Sequence, residues 1–140
     1  MNRAKNEKLS RKELKENCQS RIADLRRLFD NFNKGVEDDP DGNFCDYGLC
    51  FDYVPAGTFA NRSGYFRYQL STGGPGDEFD FYCDAELKLF KIHYKWLDWY
   101  QVDTLSLDPE KEDYKLMEEI FELFREVGTV ESELKKAKNN

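Results

Sequence analysis

The sequence predicts an α+β domain, an antiparallel meander of four to five strands with a long N-terminal helix and a C-terminal helix packed on it. Residues 64–99 alternate strand-forming and polar side chains through three consecutive runs, each closed by turn residues. The segments on either side instead place apolar residues at every third or fourth position, the spacing of an amphipathic helix. The length of 140 residues suffices for one ordinary core and not for two, so residues 1–140 are expected to form a single domain.

The elements follow in order. Residues 1–9 are polar and expected to fray. Ser10 with Glu13 forms a capping box, and Leu14, Cys18, Ile22, Leu25, Phe29 and Phe32 recur on one face, which predicts a helix over residues 11–33 within a 10–34 segment closed by Gly35. Residues 37–43 form an acidic connector that lacks the ligand ladder of a calcium loop. The sheet is assigned to residues 47–107, beginning with an apolar strand over 47–54.

In the next strand Phe66, Tyr68 and Leu70 share one face and Tyr65, Arg67 and Gln69 the other. Then Phe79, Phe81 and Cys83 oppose Glu78, Asp80, Tyr82 and Asp84. Next, Phe90, Ile92, Tyr94 and Trp96 oppose Leu89, Lys91, His93 and Lys95, and residues 101–107 make a shorter final strand. The GGPGDEF stretch at 73–79 resembles the GGDEF signature of diguanylate cyclases, but Pro75 and Gly76 interrupt it. Its glycines read as turn chemistry. Asp108 and Pro109 mark a helix start, and residues 109–138 hold the C-terminal helices, divided at Gly128 with Thr129 as the second cap.

Composition narrows the function classes. No run approaches the roughly 18 apolar residues of a membrane span, and the polar N-terminus carries no apolar signal segment, so no membrane partner and a cytosolic location are expected. Cys18, Cys45, Cys50 and Cys83 are poorly spaced for zinc and His93 is the only histidine, so neither a metal site nor a cofactor is expected. The same lone histidine leaves no base for a Cys–His nucleophile, and the chain reads as non-enzymatic.

Charge is divided along the chain. Residues 1–34 carry ten Lys/Arg against five Asp/Glu, and residues 35–140 carry eleven against twenty-three. An acidic body of this kind repels nucleic acid and attracts basic surfaces, so direct DNA binding is not expected. The basic face of the first helix, with Lys15, Arg21, Arg26 and Arg27, has two readings: a solvated or RNA-touching stripe, or partners for acidic groups of the same chain. The carboxylates predicted to meet a basic protein partner are Asp77, Glu78, Asp80 and Asp84 on the sheet, with Asp98, Glu118, Glu119 and Glu122. An alternative is a small-ligand pocket for a nucleotide-like signal, with Tyr65, Tyr82, Trp96 and Trp99 as its aromatic walls and Arg67 meeting the ligand's charge.

At DYGLCFDYV, GYFRYQLSTGGPGDEFDFY and IHYKWLDWY the chain resembles a group of small acidic proteins carried by bacterial phages and conjugative elements, found among anti-restriction and anti-CRISPR genes. The resemblance spans residues 46–128 and rests on fold-forming aromatics and a turn. It implies a host-defence inhibitor, acting in the bacterial cytoplasm by binding a basic nucleic-acid-targeting nuclease or its complex. It brings no catalytic residues with it.

Overall fold

The computed structural model describes residues 9–36, 38–99 and 101–139. The first helix, α1 (Arg11–Lys34), starts where the capping box places it: Ser10 Oγ accepts the Glu13 N–H and the Glu13 side chain answers the Ser10 N–H. Gly35, at φ 73°, ends it in the left-handed conformation that glycine adopts without a Cβ penalty. A four-residue helix, α2 (Phe44–Tyr47), follows and takes in Tyr47, the expected first residue of the first strand, because Asn43 caps it by accepting the Asp46 N–H.

The sheet is a meander in sequence order: β1 (Cys50–Val54), β2 (Tyr65–Ser71), β3 (Gly76–Cys83), β4 (Leu89–Asp98) and β5 (Gln101–Ser106), every neighbouring pair antiparallel. The β4–β5 turn approaches the β2–β3 loop closely at Gly74, where a Cβ would stand 2.8 Å from the Trp99 ring. Two helices complete the fold, α3 (Glu112–Glu126) and α4 (Thr129–Lys138). The predicted cap at Asp108 is corrected. Its carboxylate accepts the N–H of Glu110 two residues on, a local turn that competes with capping and delays the helix to Glu112. Gly128, not Thr129, is the N-cap of α4.

All three long helices lie on one face of the sheet, α4 against β1, α3 against β4 and α1 against β5. The core between the layers joins Phe66, Phe79, Phe81, Ile92 and Tyr94 from the sheet to Cys18, Leu25 and Leu28 of α1, Met117, Ile120 and Phe121 of α3 and Val130 of α4. Phe90, expected on this face, is exposed instead, because the β3–β4 register shifts between Tyr82 and Cys83. Residues 1–8 of the predicted frayed segment lie outside the described residues. Leu9 is buried, and its N–H donates to Asp103 Oδ2 at 3.3 Å.

Layers this apolar are held in register by one polar cluster. Asp77, on the helix-covered face of β3, is 1% exposed. Arg21 of α1 donates to both its oxygens at 2.7 and 2.9 Å, Tyr94 donates at 2.7 Å, and Ser71 donates at 2.5 Å. Arg21 also donates to the Tyr47 hydroxyl at 3.1 Å, and that hydroxyl donates to Asp24 at 2.7 Å. Removing one partner of a buried charge pair leaves the other uncompensated. Arg21→Met is therefore expected to lower the unfolding free energy by about 3 kcal/mol in urea titrations. A loss below about 1 kcal/mol, the ordinary value of an exposed pair, would contradict the assignment.

Candidate functional site

The sheet face away from the helices is uncovered by any described element. Its side chains stand in cross-strand rows, one running Cys50, Gln69, Glu78, Lys95, Thr104 and the next Asp52, Arg67, Asp80, His93, Ser106. A third joins Val54 and Tyr65 with Tyr82, whose ring lies 5.5 Å from that of Tyr65. Because β3 is the central strand, its carboxyls lie at the bottom of a trough between longer neighbours. Glu78 is 3% exposed and Asp80 wholly buried.

The cations on this face are already engaged. Arg67 Nε and Nη2 donate to the two oxygens of Asp52 at 3.0 and 2.8 Å, a bidentate pair. Lys95 Nζ reaches diagonally past Glu78 to Asp80 Oδ2 at 2.5 Å and sits 4.4 Å over the Tyr65 ring. The Lys95–Asp80 contact is an ion pair, not an aligned hydrogen bond, since neither Asp80 oxygen has a hydrogen-bond partner of sound geometry. Burial disfavours the Lys95 charge, and Asp80 overrides it, so the ammonium is held above its ordinary pKa. Lys91 lies 4.3 Å over the Tyr82 ring. His93 is pushed down by burial and by Lys91, which favours the neutral imidazole.

Glu78 is left without a cation of its own. Burial first, and then the neighbouring Asp80 carboxyl, through hydrogen bonding before charge, push its carboxyl far above the usual range, so it holds a proton at neutral pH. It forms the floor of a cavity of about 490 Å³, with Tyr65, Arg67, Gln69 and Lys95 around it. Phe59 and Asn61 from the β1–β2 loop, Thr72 and Gly73 from the β2–β3 loop, and Leu97 and Val102 form the walls. A depression between α1 and α3, of about 640 Å³, is lined among others by Arg26, Arg27, Asp30 and Asp113, whose charges pair with one another, with Lys34 or with the connector. These four charges are thus spent within the protein, while Glu119 at the same depression is exposed.

The structure redistributes the residues predicted to bind a partner. Asp77 lies on the opposite face, buried against α1, and Glu78 and Asp80 are buried in the trough, so these three do not form an exposed acidic face. Asp84 is exposed but accepts the N–H groups of Glu86 and Lys88, each at 2.9 Å, and so holds the β3–β4 turn. Asp98 is half-buried. Glu118, Glu119 and Glu122 are exposed on α3, with Arg125 donating to Glu122 at 3.3 Å.

The predicted ligand pocket is also corrected. Tyr65 and Arg67 line the cavity and Tyr82 adjoins it. Trp96 instead packs on the helix-covered core and Trp99 turns toward Gly74. Arg67 is held by Asp52, which removes it as a ready partner for a ligand phosphate. Sequence reasoning missed Phe59, Gln69, Lys95, Leu97 and Val102; the last four alternate correctly with the predicted open face, and that parity was the available signal.

On the basic face of α1 three of the four named cations meet acidic groups of the same chain, while Lys15 is exposed. Arg21 pairs with Asp77, Arg26 with Asp113, and Arg27 with Asp24, Asp39 and Asp41. No group of metal-ligating side chains and no helix long and apolar enough to cross a membrane occurs among the described residues, and the four cysteines are free thiols. No family model matches this chain, and no curated protein or solved structure matches it.

The Glu78 proton has a thermodynamic consequence. In an unfolded chain the carboxyl ionises near 4.5, whereas in the fold it does so near 9. Between those values the folded state binds one more proton, so the contribution of Glu78 to stability is complete below the lower value and falls as pH rises through the window. Glu78→Gln, which copies the protonated shape, is expected to gain on the wild type by up to about 1.4 kcal/mol per pH unit across that window. Urea unfolding at about pH 5 and about pH 8 measures this gain. A difference independent of pH would place an ordinary ionised carboxylate at 78.

Proposed function

We propose that the chain is a non-enzymatic binding protein whose open sheet face takes up a small organic molecule. The observation that carries this reading is the cavity over Glu78, where a buried carboxyl lacking a cationic partner lies beneath an apolar rim that includes exposed Phe59 and Val102. Small-molecule sites are typically concavities of about 300–1,000 Å³, and this one falls within that size, with Phe59, Leu97 and Val102 as apolar walls and Gln69, Glu78 and Lys95 as inward polar groups. The β1–β2 and β2–β3 loops supply adjustable walls while the strands fix the floor, a division common among binding sites. The test is amide-resolved NMR with a mixture of aromatic fragments of all three charge types. Shifts are expected at Tyr65, Gln69, Lys95 and Val102. Val102→Trp, which fills the mouth from an exposed position, is expected to remove them with little change in melting temperature. Shifts that persist in this variant, or that cluster on the helices, would move binding elsewhere.

A second reading follows from the exposed carboxylates of α3. It is an anti-defence inhibitor of a phage or plasmid, which binds a basic nuclease complex in the bacterial cytoplasm through Glu118, Glu119 and Glu122. Of the eight carboxylates first assigned to that surface, these three remain together on one exposed helix face. Capture of such a nuclease should weaken as salt rises and fail for the Glu118→Lys, Glu119→Lys double variant. Capture unaffected by both changes would exclude α3 as the contact.

A further inference from the structure

We infer that the ligand of the open-face cavity is an organic cation, a protonated amine, amidine or guanidine on a flat apolar body, which sets its charge against Glu78. The inference rests on the ligand-binding reading above and adds the chemical class. It begins from a charge count on the floor. Of the charged groups on this face, Glu78, Arg67 and Lys95 line the cavity; Arg67 is committed to Asp52, Lys95 to Asp80, and Lys91 lies over the Tyr82 ring, so no cation is committed to Glu78. The missing positive charge falls at Glu78, which lines the cavity and is 3% exposed.

The groups around Glu78 bear this out from every side. On β2 it faces Gln69 and, one row away, the engaged Arg67. On its own strand stands Asp80. On β4 it faces Lys95, whose ammonium is drawn to Asp80, with His93 and Lys91 farther along the face. An anion entering the cavity would have to break the bidentate Arg67–Asp52 pair or the Lys95–Asp80 pair to find a partner. A cation needs neither step. It takes the place of the proton on Glu78, that proton passes to solvent, and the water-poor floor strengthens the new pair. Phe59, exposed at the rim, offers ring surface to a flat cationic group.

The experiment uses benzamidine, its neutral counterpart benzamide and the anion benzoate, followed by amide-resolved NMR and by calorimetry at neutral pH in two buffers of different ionisation enthalpy. Benzamidine is expected to shift Gln69, Glu78 and Lys95, to release about one proton per molecule bound, and to bind about tenfold or more tighter than benzamide. In Glu78→Gln, which keeps the shape of the neutral acid, the proton release should vanish and benzamidine should bind no better than benzamide. Preference for benzoate, benzamidine binding without proton release, or an unchanged preference in Glu78→Gln would overturn the cation assignment. In each of these cases shifts confined to the cavity would leave the ligand-binding reading standing. If none of the three compounds shifts cavity residues, both readings fall.

Discussion

The buried carboxylate of Asp77 pins α1 to the sheet. Hydrophobic burial between these layers is strong but has little direction, since apolar side chains can slide against one another at small cost. The bidentate grip of Arg21 and the donated hydroxyls of Tyr94 and Ser71 allow one arrangement only, because a buried charge tolerates no missing partner. Through Tyr47 and Asp24 the same network reaches α2 and returns to α1. The position of α1 across the sheet, and with it which face stays uncovered, is set at that cluster.

On the uncovered face the same economy of charge has a different outcome. Arg67 and Lys95 could each have served Glu78, but Arg67 reaches outward to Asp52 on the edge strand and Lys95 reaches along to Asp80. Both choices shorten strong contacts and leave the carboxyl between them to be neutralised by a proton. The acidic character of the chain is therefore largely cancelled where the sheet lies open and persists on the outer side of α3. A trough of paired charges with one neutral acid at its floor is the feature on which the proposed small-molecule reading rests. It presents little to a broad basic surface.

Much of this fold was legible in the residues, for reasons that differ by element. The capping box at Ser10 and Glu13 is a local interaction and fixed the start of α1 to the residue. Alternation through 65–70, 78–83 and 91–96 sorted side chains onto two faces correctly because pleating is also local. What alternation could not reveal is which polar residues would be buried. Asp77 shares parity with Phe79, and only the arrival of Arg21 from 56 residues away explains its place there. Glu78 and Asp80 read as a solvent-facing ladder until the longer side chains of β2 and β4 enclose them. Trp96 and Trp99 were separated by the parity of β4 and by its turn, so the expected aromatic pocket kept only its tyrosines.

The meander joins each strand to the next in sequence, but α1 closes against elements at the far end of the chain. Leu9 meets Asp103, and both Gln19 and Arg26 donate to Asp113. During synthesis the first helix leaves the ribosome long before its docking surface is complete, and its apolar stripe is fully covered only once β5 and α3 have followed α2. An abundance of charge on its outer side, together with strong local caps, would keep that early helix dispersed while it waits. Shortening the chain before α3 would strand α1 without its lid of side chains, and the sheet with it.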